Sequence, residues 1–391
     1  MRVEDAGKDI ELDVEGVSEY LGIPVSRLRK LLDKRELLQN WGEYQHLFRF
    51  VSTFSGMESG TVIYQKDGCF ELIKGFPKIQ RAMLLEPAIN THFSETDTVC
   101  VEEKMNGFNV RAILFDGKIT AITRGGYVCP YSTEKAGQLL NIDFFNDHPE
   151  LVLHGEMVGP DNPYVPKKIY DDVDSIDFYV FDMRYKGSGE PLPVYERRKL
   201  AEEYGFTQTR LFGEFTKKEA PEKIRSIIME LGKIEHEGVV IKDPDMNIPP
   251  VKYTCSQSNC ADLRHAFRFY NDVGRDYLFS RVVREGFQAF EWKESEEDLK
   301  TRCLQLGESI LYPMIDAIGE MEKGERVAEE VQIRVSSLDT LFKFKEYLRR
   351  QGVEAIFDEP EKAGDDFIIK IRKLNKSTND KTMSMFKGEL W

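Results

Sequence analysis

The chain has 391 residues, 41% of them apolar and 31% charged, and carries a formal charge of −14 from 54 Lys and Arg against 68 Asp and Glu. That length accommodates two or three domains with separate cores, and the composition is that of a globular chain; no run of about 18 apolar residues is present, so no membrane span or membrane partner is expected. The acid excess argues against a broad electrostatic grip on nucleic acid while leaving room for a local one.

In chain order, residues 17–38 place Val17, Leu21, Leu28, Leu31 and Leu32 at helical spacing, which predicts one or two short helices. Residues 47–51 and 61–64 then read as strands, the second followed by Lys66-Asp67-Gly68, a hairpin signal. Lys78 and Arg81 follow as a pair that could reach a phosphate but whose favoured reading is solvated charge. The central pattern is Val101-Glu102-Glu103-Lys104-Met105-Asn106-Gly107-Phe108-Asn109-Val110-Arg111, a run that delivers a lysine to a strand end with a glycine close behind. Near pH 7.4 only about one unperturbed lysine in a thousand is neutral, so a nucleophilic lysine there needs surroundings that favour the free amine. Gly107 would let main chain approach a phosphate or sugar without a Cβ in the way. Residues 110–115 and 119–124 form a predicted hairpin across Asp116-Gly117, bringing Lys104, Gly107 and Arg124 toward one end of a sheet.

Residues 131–145 read as a helix, and 151–159 as a buried strand interrupted by Glu156, a carboxylate that is costly to bury without a partner. A strand at 177–182, a helix at 194–204, and a capping box Thr216-Lys217-Lys218-Glu219 opening a helix to Leu231 come next. Glu237-Gly238-Val239-Val240-Ile241-Lys242 and Pro250-Val251-Lys252-Tyr253-Thr254 again carry charges inside apolar β runs. Several such strands together suggest a sheet lining a polar site. Beyond Ser256 the texture is helical at 261–270, 276–290 and 296–321, with no catalytic-looking cluster, and packing or self-association is its expected role. A strand at 331–335, a helix at 338–351 and a strand at 367–371 predict a small α+β domain. Six cysteines without a Cys-x-x-Cys pair predict free thiols of a cytoplasmic protein, and the opening Met1-Arg2-Val3-Glu4-Asp5 lacks the pattern of a signal peptide.

The ordered set Lys104-Met105-Asn106-Gly107, Arg124-Gly125-Gly126, Gly155-Glu156, Phe178-Tyr179-Val180-Phe181-Asp182, Glu237 to Lys242 and Val251-Lys252-Tyr253 resembles the covalent nucleotidyltransferases, which include DNA and RNA ligases and capping enzymes. The Glu-Lys-x-Asn-Gly-x-Asn form of the first motif is similar to that of RNA ligases, and the whole chain resembles the homodimeric archaeal-type ATP-dependent RNA ligases. The resemblance implies an α+β fold: an N-terminal module at 1–85, a nucleotidyltransferase domain of antiparallel sheets around a nucleotide cleft at 86–256, a helical dimerisation region at 257–324, and a C-terminal α+β domain at 325–391. It implies ATP as substrate, Mg²⁺ with Mn²⁺ as the alternative, single-stranded RNA ends as partners, and a homodimer.

By the same resemblance Lys104 is the nucleophile that takes AMP, Glu103 meets the adenine amino group, and Phe181 rather than Phe178 stacks on the base. Asn109 and Arg124 position phosphates, Glu156 holds the ribose, Glu237 binds the metal, and Lys242 and Lys252 contact the α-phosphate. Two departures stand out. Thr254 occupies a place where many ligases have a second lysine, so one phosphate contact is missing or comes from elsewhere; Asn109 stands where DNA ligases have an arginine, with Arg111 two residues on. The alternatives are a GTP-dependent capping-type guanylyltransferase and a non-catalytic RNA-binding protein on a decayed nucleotidyltransferase fold.

Overall fold

The structure is a computed structural model that describes residues 10–166 and 168–390. The opening stretch, from which no leader is expected, lies outside the described residues. The 17–38 run resolves into helices Val14–Leu21 and Val25–Asp33, separated by Gly22 in the left-handed region and by Pro24. Its last two residues leave the helical pattern for strand Leu37–Gln39. The helices pack on an antiparallel sheet in the order Leu37–Gln39, Leu47–Phe50, Val62–Lys66, Cys69–Ile73. Both Asp-Gly turns form as their composition predicts, with positive φ at Asp67 and Gly68 and at Asp116 and Gly117.

Two further sheets make the centre. One runs Asp177–Tyr185, Leu151–Val158, Phe108–Phe115, Lys118–Thr123, antiparallel throughout. The other runs Leu211–Thr216, Thr98–Lys104, Gly238–Lys242, Val251–Thr254, Gln80–Arg81, antiparallel except for its last pair. Side chains alternate across a strand, and in this second sheet the alternation separates two environments. Val99, Val101, Val239, Ile241, Val251 and Tyr253 form one face, buried against helices Leu85–His92 and Ala220–Lys233. Glu102, Lys104, Lys242 and Lys252 occupy the other. Charges inside apolar β runs therefore share one face of a sheet whose other face is core, and Glu102 and Lys242 on that charged face are themselves buried.

Two local expectations are corrected. The 131–145 helix is two, Pro130–Leu139 and Ile142–Asp147, because Leu140 is extended and the Asn141 side chain accepts from Asp143 N at 3.0 Å, offering the backbone a local alternative to the helix. The capping box at Thr216 does not cap: Thr216 ends a strand, its hydroxyl donates to Glu219 at 2.7 Å across a turn, and the helix opens at Ala220 with Pro221 in its first turn, where a missing N–H costs nothing.

Helices Ser256–Arg268, Arg275–Trp292 and Glu296–Glu322 follow, then the sheet of Ala328–Val335, Asp366–Leu374 and Ala355–Phe357 with Leu338–Arg350 packed on it. This last unit docks on the centre through Phe344 against Tyr131, and through Gln332 and Arg334 on the Asp161 carboxylate at 2.7 and 3.3 Å. No helix among the described residues is long and apolar enough to cross a membrane. The described cysteines are free, four of them buried.

Candidate active site

The two central sheets enclose a cleft of about 1050 Å³. Lys104, at the end of its strand, points into it, and its Nζ lies 2.7 Å from Glu237 Oε2 and 3.3 Å from Met105 O. Burial lowers the pKa of Lys104, but Glu237 and Glu156 outweigh burial and hold the amine above its ordinary value. In the free protein the lysine is therefore charged. Glu156 faces it from the other sheet; burial pushes its carboxyl up to about 7, with Lys104 opposing that rise and Glu237 adding to it. Glu237 sits at the start of the neighbouring strand, whose register sets Gly238 opposite Lys104.

Lys252 is the third cation of this wall. Burial, followed by repulsion from Lys104, depresses its pKa to about 8, with Arg81 and Arg281 also lowering it. An anion bound at Lys252 would restore its proton, so nucleotide binding should be accompanied by proton uptake near pH 8. Titration calorimetry in buffers of different ionisation enthalpy reads this directly: uptake of about half a proton at pH 8, rising toward one as the pH is raised above 8, is expected for the wild type and markedly less for Lys252→Met.

The structure brings Glu103, Lys104, Gly107, Asn109, Arg124, Glu156, Phe181, Glu237, Lys242 and Lys252 to one cleft. Asn109 is paired across the strands with Glu156, and its Oδ1 is a buried acceptor without a partner among the described residues. Phe181 lines the cleft next to Phe76, whereas Phe178 is buried against Gly155 in the core. Arg124 is exposed at the cleft rim. Its turn is held from behind by the N-terminal module: Asn40 Nδ2 donates to Gly126 O at 3.0 Å, and Arg49 stacks on Tyr127 with 3.6 Å to the ring centre. Gly107 also serves a close approach within the fold. A Cβ there would stand 2.1 Å from Met157 O, so the glycine lets the Leu151–Val158 strand pass close by while it lines the cleft.

Alternation turns Glu103 to the sheet face opposite Lys104, where its carboxylate lies 2.5 Å from His236 Nδ1. His236 Nε2 is 3.1 Å from Ile169 O; burial lowers the His236 pKa, but these two acceptors raise it overall. Glu102, which no motif in the sequence singles out, shares the Lys104 face. Its carboxylate is fully buried, accepting from Lys242 Nζ at 2.6 Å, from Arg198 at 3.0 Å and from Arg197. Lys242 Nζ also donates to Phe181 O at 2.7 Å. The signal that could have found Glu102 was the period of two from Lys104.

Arg111 is not part of the cleft. It is wholly buried and donates to the carbonyls of Lys74, Gly60 and Thr123 at 2.8, 2.7 and 2.9 Å, pinning the N-terminal module to the centre. Burial with no carboxylate partner lowers its pKa to about 9. Conversely, the helical block supplies Asp262, His265, Tyr277 and Arg281 to the cleft, and the C-terminal unit supplies Glu329, Glu330, Tyr347 and Gln351. These lie so far along the chain from Lys104 that no local pattern announces them.

Facing antiparallel sheets around a lysine, two carboxylates and further lysines define a ligase-type nucleotidyltransferase fold. Residues 97–254 match the RNA ligase family, and residues 265–389 match the family described as the ligase Pab1020 C-terminal region. A solved archaeal ATP-dependent RNA ligase, in two forms, is 42% identical, with 97% of this chain and all of that one covered at a TM-score of 0.91. The uncharacterized protein MJ0414 of Methanocaldococcus jannaschii is 38% identical over 388 residues, 97% of each chain. A putative ATP-dependent DNA ligase from Aquifex aeolicus, at 23% identity and a TM-score of 0.86 over 94% of this chain and all of that one, shares the fold. The chain belongs to the family of archaeal ATP-dependent RNA ligases.

Proposed function

We propose that this chain joins or circularises single-stranded RNA bearing 5′-phosphate and 3′-hydroxyl ends, using ATP. Lys104 takes AMP, passes it to the RNA 5′-phosphate as a 5′-5′ pyrophosphate, and a 3′-hydroxyl then displaces it. The observation that carries this reading is Lys104 paired to Glu237 at 2.7 Å, with Glu156 and Lys252 converging on the same amine. Lys252 and Lys242 are assigned to the α-phosphate, Glu156 to the ribose, Phe181 to the base, and Asn109 and Arg124 to phosphates. Glu103 is assigned to the adenine amino group; His236 engages one of its oxygens, Oε1, and Glu103 lines the cleft.

Glu237 is the proposed ligand for Mg²⁺, or Mn²⁺. Among the described residues no three His, Cys, Asp or Glu side chains gather as a metal cage; a hard cation held by one or two carboxylates takes its other ligands from phosphate and water, which suits Glu237 with Glu156 nearby. Such a cation would neutralise charge developing on the phosphoryl oxygens. Once Glu237 is engaged elsewhere, Lys104 loses its ion-pair partner and faces Lys252, and both changes favour the neutral amine. The same cations then meet the charge of the transition state.

The spans 1–85, 86–256, 257–324 and 325–391 remain the proposed division, and the sheets respect it except that Gln80–Arg81 of the first completes a sheet of the second. A homodimer is proposed through helix Glu296–Glu322, where Leu304, Leu311, Ile315 and Ile318 expose one apolar face, joined by Phe279 and Phe290 of the preceding helix. Light scattering should give twice the 45.2 kDa chain mass, and Leu311→Asp with Ile315→Asp should return it to the monomer value. The free cysteines suit a reducing cytoplasm.

The test of the central reading is incubation with labelled ATP or GTP and Mg²⁺, followed by 5′-phosphorylated RNA, the equivalent DNA, or a nicked duplex. Covalent labelling from ATP that survives denaturation and alkali but is released by acid, as a lysine–phosphorus bond requires, and joining of single-stranded RNA are expected. Labelling by GTP alone would indicate a capping-type transferase, and none at all a binding protein.

A further inference from the structure

Thr254 stands where related ligases place a second lysine, and its side chain is engaged away from the cleft, since the hydroxyl donates to Asn259 Oδ1 at 3.1 Å and the same oxygen accepts from Arg81 at 3.2 Å. The cleft nonetheless has a further cation, from the helical block. Arg281 of helix Arg275–Trp292 lies over the Tyr277 ring at 3.3 Å, donates to Asp262 Oδ2 from Nε at 2.7 Å, and places Nη2 2.6 Å from the same oxygen. Nη1 donates to Tyr277 O at 3.1 Å. A guanidinium stacked and tethered in this way is held in one orientation while part of its donor fork stays uncommitted. Its side chain is 12% exposed, and Arg281, Asp262 and Tyr277 all line the cleft that holds Lys104.

We propose that Arg281 is the receptor for the β- and γ-phosphates of ATP, so that the helical block completes the nucleotide site as well as carrying the dimer face. This rests on the reading of Lys104 as the AMP acceptor. In that step the amine loses a proton, its nitrogen forms a bond to the α-phosphorus, the bond from the α-phosphorus to the bridging oxygen breaks, and the electron pair leaves with pyrophosphate. In-line displacement requires the leaving group to point away from Lys104. A triphosphate whose α-phosphate meets Lys252 carries its terminal phosphates onward along the wall, and Arg281 lines the same cleft close enough to Lys252 to repel its charge, as Lys104 and Arg81 also do. A bidentate guanidinium suits a phosphate leaving group better than a second lysine would. Asp262 is a positioning residue: it orients Arg281 and touches no phosphate.

The test separates the first step from the last. Arg281→Gln should lower the rate of lysyl-AMP formation at subsaturating ATP by at least about tenfold. It should equally weaken pyrophosphate-driven release of AMP from the charged enzyme, yet join a chemically pre-adenylylated RNA to a 3′-hydroxyl within about twofold of wild type. Arg281→Lys, which keeps charge but loses the fork, should fall between, and near-wild-type unfolding temperatures establish that both variants fold. Equal loss in both steps, or loss only with pre-adenylylated RNA, overturns the proposal by assigning Arg281 to RNA or to folding. Unchanged kinetics in both variants also overturn it. If the wild type itself takes no label from ATP, the reading of the enzyme fails instead.

Discussion

Lys104→Ala is expected to abolish covalent labelling by ATP, a loss of at least about four orders of magnitude, because no other group offers a nitrogen at the end of that strand. The experiment is more discriminating than it looks. In the free protein Lys104 is held charged by Glu237 and Glu156, whereas Lys252 titrates at about 8 and so carries the larger neutral fraction near neutrality. On free-protein acidity alone Lys252 would be the better nucleophile. The assignment to Lys104 depends on the pairing being dissolved when nucleotide and metal arrive: Glu237 turns to the cation, and the anionic phosphate recharges Lys252. Lys252→Ala should therefore leave a slower reaction whose label still maps to Lys104 by peptide mass spectrometry, and Lys104→Ala should leave none. Lys104→Ala should also still join pre-adenylylated RNA, since that step consumes no lysine nitrogen. Wild-type labelling in Lys104→Ala, or a label mapping to Lys252, would sink the mechanism.

How much of this was legible in the sequence depended on how local each cause was. The Asp-Gly hairpins and the charged faces of apolar strands were readable because each follows from a short period or a turn dipeptide, whereas the ordered lysines and carboxylates were readable through their resemblance to the motifs of covalent nucleotidyltransferases. Glu103 comes from the motif resemblance and lines the cleft, but a strand reverses direction at every residue, so Glu102 is the neighbour on the lysine's face. Arg111 stands two residues beyond the place where DNA ligases have an arginine, yet it donates to carbonyls, two of them in a module that begins far upstream. Asp262 and Arg281 were invisible because helices packed across the cleft bring them in from beyond the motif-bearing segment. Helix Lys376–Phe386 was missed within a basic tail rich in Ser, Thr and Asn; its start is secured by Asp272, whose carboxylate accepts from Ser377 N and Thr378 N at 3.0 and 2.8 Å.

Glu102→Gln is expected to be the most damaging isosteric change in the central domain. The Glu102 carboxylate is buried with Lys242, Arg197 and Arg198; burial raises its pKa, but Lys242 and Arg197 outweigh that and hold it at about 2, against an ordinary 4.5. A carboxyl whose folded pKa is depressed contributes stability that is present above 4.5 and lost as pH falls toward 2. The gap corresponds to about 3 kcal/mol, within the roughly 3–5 kcal/mol lost when one member of a buried ion pair is removed. The loss is severe because Arg197 has no alternative: its Nε and Nη1 already lack acceptors among the described residues, and an amide in place of Glu102 leaves a buried guanidinium uncompensated. Chemical denaturation at neutral pH should show the destabilisation, and at pH 3 the difference should shrink. Adding Arg197→Met should recover part of it, because removing the stranded charge relieves its desolvation, so the double variant should be more stable than the sum of the singles. Lysyl-AMP formation should slow as well, since Lys242 Nζ would lose one of its two anchors, Glu102 and Phe181 O, and with it a fixed position at the cleft wall. Strict additivity in the double variant would show that Glu102 and Arg197 do not act as a pair.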